Sequence, residues 1–257
     1  MSDDPHPTMR FTSRADDYTR FRPDYPVAAF PAMLEGLGYP HMLTAADIGS
    51  GTGISARQLA SFGPLVVAVE PNAAMRDAAA SHERVLPHEG SAEDTGLNTG
   101  SITLVLCAQA FHWFRADEAL AEFRRILSGL GRLALMWNTR DLSDEATRTY
   151  TDLISQAAAA PLPDLFVEPA AALAASPLFT NYRELTFVHP QRLSREGLLG
   201  RARSASYCPK AGPAYDTLAA GLNALFDSCA EIDPDSGESL VTLRYRTRLY
   251  LAEPAFE

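Results

Sequence analysis

The hydrophobic pattern divides the chain into three parts. Between about residues 43 and 140, short apolar runs alternate with longer amphipathic runs. Short runs rich in Val, Ile and Leu are typical of strands buried on both faces of a sheet. The runs between them carry apolar residues three and four positions apart, as helices that pack on a sheet do. Five strands are predicted here, at 43–48, 65–69, 84–89, 101–108 and 132–137.

The rest of the chain is less regular. Before residue 41 the pattern is helical and interrupted by prolines. After residue 140, alternating runs at 184–193 and 241–252 predict two more strands, with a mostly helical pattern between them. Strands that alternate with helices favour a parallel sheet with right-handed crossovers. We therefore predict an α/β fold, with a doubly wound, mostly parallel, seven-stranded Rossmann-like sheet and helical caps.

Composition and charge narrow the kinds of partner. Of the 257 residues, 46% are hydrophobic and 21% charged, which is ordinary for a globular domain and unlike a disordered or fibrous chain. The formal net charge is −10, from 32 acidic and 22 basic residues, and no dense Lys/Arg run is present. Because nucleic-acid binders present a basic stripe to phosphates, we expect no nucleic-acid partner.

The pattern predicts neither a membrane-spanning segment nor a secretion signal. No apolar run approaches the roughly 18 residues of a membrane-spanning helix, and the N-terminal residues lack a basic start followed by an apolar stretch. Cys107, Cys208 and Cys229 lie far apart, which disfavours a disulfide framework and a zinc site. We expect a cytoplasmic protein, monomer or homodimer, with no membrane partner and no metal.

A glycine-rich loop follows the first predicted strand. Its sequence is Asp47-Ile48-Gly49-Ser50-Gly51-Thr52-Gly53. Glycines there let the backbone approach a ligand closely, and open α/β sheets bind ligands outside the carboxyl ends of their strands. Glu70 ends the second strand, 21 positions after Gly49, where a carboxylate can accept hydrogen bonds from both hydroxyls of a ribose. The pattern predicts a cofactor that contains a nucleoside.

Two cofactor classes use such a loop. The dinucleotide fingerprint GxGxxG would place its third glycine at position 54, which is Ile54. The observed spacing is GxGxG, which suits a nucleoside without a pyrophosphate. A NAD(P)-dependent oxidoreductase is therefore the less favoured alternative. No GK[ST] follows the loop, so it is not a P-loop.

Together these stretches resemble the class I S-adenosylmethionine-dependent methyltransferases. The similar segments, within about residues 43–140, are DIGSGTG, VAVEPNAAM, GSAED, AQAFHWF and GLGRLALMWN. Within that superfamily, ADDYTRFRPDYP and AQAFHWF resemble the methyltransferase type 11, or trans-aconitate methyltransferase-like, branch. The resemblance implies S-adenosylmethionine as cofactor and S-adenosylhomocysteine as product.

The resemblance also implies roles for the matching residues. The glycine loop would face the methionine part and the ribose, and Glu70 would hold the ribose hydroxyls. The segments after strands two and three would meet the adenine, and the residues after strand four would lie under the sulfonium. The residues expected to bind the cofactor are Asp47, Gly49, Ser50, Gly51, Gly53, Glu70, Pro71, Asn72, Met75, Ser91, Ala92, Glu93, Ala108, Gln109 and Ala110.

An expected role can then be given to each of the three parts of the chain. Residues 1–40 form an N-terminal helical cap, and residues 41–140 form the cofactor-binding α/β core. Residues 141–257 supply the remaining strands, with a helical insert at about 191–238 that caps the substrate.

Candidate residues for the acceptor side surround the expected mouth of the site. His112 follows strand four, and an ordinary histidine pKa near 6.5 suits proton removal, so it is the candidate general base. Its alternative role is a structural hydrogen bond. The substrate-binding candidates, each with core packing or a solvated helix face as the alternative, are Tyr18, Arg22, Trp113, Trp137, Asn138, Arg201, Arg203 and Tyr207.

The predicted function is methyl transfer to a small molecule. The resemblance favours an oxygen acceptor, either a carboxylate or a hydroxyl. A C- or N-methyltransferase of natural-product metabolism, and a protein that binds the cofactor without methylating, remain alternatives.

Overall fold

The computed structural model describes residues 20–158, 170–205 and 207–255. The strands are β1 (Thr44–Ile48), β2 (Leu65–Val69), β3 (Val85–His88), β4 (Ile102–Ala108), β5 (Leu127–Arg140), β6 (Phe179–Leu193), β7 (Glu231–Ile232) and β8 (Ser239–Pro254). The α-helices are α1 (Ala29–Leu34), α2 (Ile54–Ser61), α3 (Ala73–Asp77), α4 (Ala116–Ile126), α5 (Glu145–Ala157), α6 (Ala171–Ala175), α7 (Arg195–Arg203) and α8 (Pro213–Cys229). Two short 3₁₀ turns span Pro40–Met42 and Phe111–Trp113.

Seven strands form one sheet, in the order β3-β2-β1-β4-β5-β8-β6, and the two-residue β7 pairs with β8. Strands β1 to β5 are parallel, whereas β8 is antiparallel to both β5 and β6. The strand order reverses between β1 and β4, which is where open α/β sheets form a ligand crevice. The predicted doubly wound, mostly parallel sheet with helices is confirmed.

Strand β4 shows why the central strands have continuous apolar sequences. Leu104 and Leu106 pack into the apolar layer beneath α1 and α2, and Val105 and Cys107 pack into the layer beneath α4. All four side chains are fully buried. A strand covered on both faces has no polar positions left to alternate.

Strand β5 is longer at both ends than the sequence predicts. Helix α4 ends at Ile126 and β5 begins on the next residue, and the pairing of β4 with β5 shifts register between Ile102 and Leu104. At its other end β5 continues three residues beyond Trp137, to Arg140. This extension carries polar side chains past the core to the carboxyl edge of the sheet.

The late helices form a third apolar cluster, separate from the two layers on the sheet. Tyr150 of α5, Leu198 of α7 and Leu222 of α8 pack there against the first half of β8. The cluster contains apolar side chains from both helices of the predicted insert, α7 and α8. The division of the chain into an N-terminal cap, a core and a C-terminal part stays a prediction.

The N-terminal segment 20–25 crosses the carboxyl edge of the sheet and is held by side chains of three elements. The Gln58 amide bonds to both backbone groups of Tyr25, each at 2.9 Å. Asn138 Nδ2 donates to the Asp24 carbonyl at 2.8 Å, and Gln191 Nε2 donates to the Phe21 carbonyl at 3.0 Å. These bonds fix the segment over the edge where the predicted site lies.

Two further properties concern the described residues alone. In that part of the chain, no helix combines the length and the apolar character that a membrane crossing requires. The same residues contain no cluster of three or more His, Cys, Asp or Glu side chains placed to hold a metal ion.

Candidate active site

The glycine loop links β1 to α2 through three residues in the left-handed region. Gly49, Gly51 and Gly53 have φ values of 70°, 56° and 74°. A Cβ at Gly49 would lie 2.7 Å from the Ala110 Cβ and 2.9 Å from the Phe114 ring, closer than real Cβ contacts. Both the backbone conformation and the space therefore require glycine at position 49.

Glu70 at the end of β2 is fixed by the loop it faces. Its Oε2 accepts from the Gly51 N–H and its Oε1 from the Asn72 N–H, each at 2.9 Å. Burial raises the pKa of this carboxyl, and the two backbone donors partly oppose that shift. Each oxygen retains a further acceptor site, so the carboxylate can take two hydroxyl donors while it holds the loop.

Asp47 lies beneath the loop and is fully buried. Its Oδ2 accepts from the Ser55 hydroxyl at 2.6 Å, whereas its Oδ1 has no hydrogen-bond partner among the described residues. Burial is the main cause that raises its pKa to about 7; the Ser55 hydrogen bond lowers it and the charge of Glu70 raises it further. A buried acceptor without a donor is costly unless a ligand supplies one. The site therefore fits a ligand with a cationic or N–H donor group near Ser55.

A cavity of about 230 Å³ opens at the carboxyl ends of β1, β2, β4 and β5. It brings together most of the predicted site residues. The predicted residues that line it are Arg22, Gly49, Ser50, Gly51, Glu70, Pro71, Asn72, Met75, Ala108, Gln109, Ala110, His112, Trp113, Asn138, Arg201 and Tyr207. The lining residues that the sequence did not predict are Pro23, Tyr25, Ile54, Ser55, Arg140 and Tyr245.

The predicted adenine-binding residues of the β3–β4 segment do not line this cavity. Ser91 and Asp94 close a local turn, with the Asp94 N–H donating to Ser91 Oγ at 3.1 Å. Ala92 is buried in the apolar layer beneath α4. The Glu93 carboxylate accepts from the Arg115 backbone N–H at 2.9 Å. The polar side chains of this segment thus hold the chain itself.

Five other candidates also lie away from the cavity wall or outside the described residues, and one of them is Asp47, which is buried beneath the loop. Gly53 faces a second, smaller cavity beside Arg57. Trp137 is buried against Tyr250, and Arg203 donates to the Tyr215 hydroxyl at 3.3 Å. Tyr18 lies outside the described residues.

Asn138 lines the cavity, but its amide is engaged within the protein. Its Nδ2 donates to the Asp24 carbonyl, as noted above, and its Oδ1 accepts from the Thr247 hydroxyl at 2.6 Å. These two bonds hold residues 20–25 in place and leave the Asn138 amide little capacity to bind a ligand.

The end of the cavity opposite Glu70 is rich in arginine and tyrosine. Arg140 Nη2 donates to the Tyr207 hydroxyl at 2.9 Å, and Arg201 Nε donates to the Tyr245 hydroxyl at 3.3 Å. Arg201 is only 4% exposed. No carboxylate among the described residues forms an ion pair with either arginine.

The pKa values in this cluster reflect its positive charge. Burial opposes the charge of Arg201, but neighbouring tyrosine oxygens, first that of Tyr245, raise its pKa above the usual value. Burial likewise acts to raise the pKa of Tyr207, yet Arg140, Arg201 and Arg22 bring it below the usual value. This end of the cavity therefore favours an anion.

His112 stands in the 3₁₀ turn after β4, between the two ends of the cavity. Gln109, at the start of this turn, adopts a φ of 56° and donates to the Asn138 carbonyl at 3.0 Å. The His112 Nδ1 accepts from the Trp137 indole N–H at 3.5 Å. His112 is exposed at the cavity mouth, but the partial desolvation of its ring there lowers its pKa, which favours a neutral ring near pH 7.

Comparison with known sequences gives one consistent result. Residues 46–135, which include the glycine loop and Glu70, match the family model described as a methyltransferase domain. The uncharacterized methyltransferase C25B8.09 of Schizosaccharomyces pombe is 33% identical over 190 residues, which cover 73% of this chain and 75% of that protein. The uncharacterized methyltransferase Rv3342 of Mycobacterium tuberculosis is 37% identical over 135 residues, about half of each chain (52% and 54%).

Solved structures agree on the architecture. A protein from Anaeromyxobacter dehalogenans, provisionally assigned as a type II methyltransferase, superposes with a TM-score of 0.64 at 26% identity, over 91% of this chain and 98% of that one. The YcgJ protein of Bacillus subtilis superposes with a TM-score of 0.55 at 18% identity, over 90% and 99% of the two chains. The second likeness concerns the fold alone.

Proposed function

This chain belongs to the class I S-adenosylmethionine-dependent methyltransferases, and we propose that it methylates a carboxylate oxygen of an anionic small molecule. When bound, S-adenosylmethionine supplies a methyl group on a positively charged sulfur, which a carboxylate oxygen can attack without first losing a proton. The products are a methyl ester and S-adenosylhomocysteine.

The acidic end of the cavity would hold the cofactor. Glu70 would accept the two ribose hydroxyls, and the loop at Gly49–Gly51 would lie against the ribose and methionine parts. Oδ1 of Asp47 would accept from the ammonium of the methionine part, directly or through water. Asn72 and Met75 of the β2–α3 segment would flank the adenine, since they line the same end of the cavity.

The observation that carries the choice of acceptor is the pair Arg140 and Arg201. Their hydrogen bonds run to the hydroxyls of Tyr207 and Tyr245, and no carboxylate among the described residues neutralises either charge. An anionic acceptor would supply the missing charge, and guanidinium groups bind carboxylates in two-point geometry. Arg22, Tyr207 and Tyr245 line the same end and would add donors to it.

The scarcity of bases at the cavity supports a carboxylate rather than a hydroxyl acceptor. Among the described residues that line the cavity, Glu70 is the only carboxylate, and it is engaged with the glycine loop. An alcohol must lose a proton during the transfer, whereas a carboxylate is already ionised at neutral pH. Positioning of the two reactants is then the main task of the protein, and alignment alone can lower a barrier by roughly 7–11 kcal/mol.

The proposal is tested with methyl-labelled S-adenosylmethionine and a panel of mono-, di- and tricarboxylic acids, alcohols, phenols and amines. We expect label in one or more acids, and we expect mild alkali to release it as methanol, because methyl esters hydrolyse under those conditions. Label that survives alkali would indicate transfer to carbon, nitrogen or a hydroxyl, and would reject the carboxylate assignment.

A further inference from the structure

The hydrogen bond between Trp137 and His112 fixes the position of a proton on the histidine. An indole N–H is a donor only, so the His112 nitrogen that accepts from it, Nδ1, carries no proton. A neutral imidazole has one N–H, which must then be on Nε2. Nε2 is thus a donor in the resting protein.

The surroundings of Trp137 hold this arrangement in place. Trp137 is 6% exposed and lies in the apolar layer beneath α4, with its ring edge-on to Tyr250 at a centroid distance of 5.9 Å. Among the described residues, His112 Nδ1 is the hydrogen-bond acceptor of the indole. Protonation of Nδ1 would deprive the buried Trp137 indole N–H of this acceptor, which is unfavourable.

Among the described residues, no charged neighbour favours the imidazolium form either. Desolvation is the cause of the lowered pKa of His112, and no carboxylate in that part of the chain contributes to it. The ring also contacts Trp113, with centroids 4.8 Å apart. His112 lines the cavity between the loop at Gly49–Gly51 and the arginine end, where an acceptor must approach the cofactor.

We propose that His112 binds the acceptor as a hydrogen-bond donor through Nε2–H, oriented by Trp137, and does not act as a general base. This role rests on the function proposed above, because a carboxylate acceptor has a second oxygen that can receive the bond while the first attacks. A neutral donor orients the acceptor and withdraws less charge from the attacking oxygen than a cation would. Trp137 is then a positioning residue, which explains a buried indole one layer behind the cavity wall.

The proton position can be measured without any substrate. Protein labelled with ¹⁵N-histidine gives long-range ¹H–¹⁵N correlations that distinguish the Nε2–H tautomer, the Nδ1–H tautomer and the imidazolium, and the His112→Asn spectrum identifies the signals of His112. We expect the Nε2–H tautomer at pH 7, and a mixture of tautomers in Trp137→Phe. An Nδ1–H tautomer or an imidazolium at pH 7 in the unsubstituted protein would overturn the proposal. Since this measurement uses no acceptor, it decides the point even if the panel of acids shows no transfer.

A kinetic comparison tests the role of the donor, with the best carboxylic acid of the panel as substrate. His112→Asn and His112→Gln retain an N–H donor, whereas His112→Phe does not. We expect His112→Phe to raise the KM for the acid by about 10- to 100-fold, with partial rescue in one of the amide variants, and we expect kcat of the unsubstituted enzyme to show no rising limb that His112→Phe removes. An equal loss of kcat in all three variants, together with loss of a pH-dependent limb present in the unsubstituted enzyme, would identify a general base and reject the donor role.

Discussion

The two ends of the cavity are built in different ways. The cofactor end consists of backbone and acidic side chains from two short segments, the loop after β1 and the residues after β2. The acceptor end consists of basic and aromatic side chains that lie far apart in the chain, Arg22, Arg140, Arg201, Tyr207 and Tyr245. One end is thus encoded locally and the other depends on the completed fold. The charge also reverses along the cavity, from Glu70 to the arginines, which suits a cationic cofactor and an anionic acceptor.

The largest effect should come from filling the space at Gly49. Gly49→Ala places a Cβ within 2.7 Å of Ala110 at a φ of 70°, so the loop must move away from the cofactor. We expect the affinity for S-adenosylhomocysteine to fall at least about 100-fold and methyl transfer to fall with it. Calorimetry measures the first and label transfer the second. The control is Gly129→Ala, where a Cβ meets no atom within 4 Å, and unchanged affinity in Gly49→Ala would contradict the assigned loop geometry.

Removal of a buried arginine should affect the acceptor end alone. Arg201→Met is expected to lower kcat/KM for the acid acceptor by about 100-fold or more while the affinity for S-adenosylhomocysteine stays within about twofold. It should lower the stability of the free protein by only about 1 kcal/mol, because Met retains most of the buried volume and the bonds it removes, to the Tyr245 and Ser204 hydroxyls, are long at 3.3 Å.

The matched control for that change is Arg195→Gln on the same helix, whose guanidinium is exposed and pairs with Asp227. Thermal unfolding and steady-state kinetics measure both variants. A large loss of stability in Arg201→Met, with unaltered kinetics, would show that Arg201 is only structural.

Removal of the Glu70 carboxylate tests the cofactor end of the cavity. Glu70→Ala removes the expected ribose acceptor and the partner of the Gly51 and Asn72 N–H groups. We expect cofactor binding to weaken by about 1.5–3 kcal/mol, through loss of charge-assisted hydrogen bonds. Titration calorimetry with S-adenosylhomocysteine gives the value directly, and an affinity equal to that of the unsubstituted protein would reject the ribose assignment.

The smallest expected effect is a pH dependence of stability that originates at Asp47. Its pKa is raised to about 7 in the folded protein, so between roughly pH 4 and 7 the folded state holds a proton that the unfolded state has lost. Stability should therefore fall as the pH rises through that window and change no further above it. Asp47→Asn should remove about 2 kcal/mol of this decrease between pH 5.5 and 7. Denaturant unfolding at several pH values measures this decrease in stability. As a control, Asp117→Asn on the exposed side of α4 should leave the decrease unchanged. If Asp47→Asn also left it unchanged, the proton would belong to another group.

Most residues that line the cavity near Glu70 could be predicted from the sequence, because they lie in two short segments, the loop after β1 and the residues after β2. The spacing of Gly49, Gly51 and Gly53 and the position of Glu70 follow from one strand–loop–helix unit and the strand after it. The conformations that these residues require are local, so their spacing along the sequence is enough to predict them. The strand and helix order likewise follows from the period of the apolar residues.

The acceptor end was only partly predictable because it depends on strand length and register. Arg140 reaches the cavity since β5 runs three residues beyond Trp137, and its partner in the antiparallel register with β8 is Tyr245. The alternation of Leu and Tyr with Arg and Thr in β8 indicated a buried face, but not which pair would meet the cavity. Asn138 shows the opposite case, a polar residue in the expected place whose amide is used to hold residues 20–25.

The most direct test of the account is the crystal structure of the protein with S-adenosylhomocysteine and a carboxylic acid that it methylates. We expect both ribose hydroxyls within hydrogen-bond distance of Glu70, and the acid between Arg140 and Arg201 with one carboxylate oxygen facing the sulfur. An acid bound elsewhere, or a cofactor whose ribose lies away from Glu70, would contradict the division of the cavity into an acidic cofactor end and a basic acceptor end.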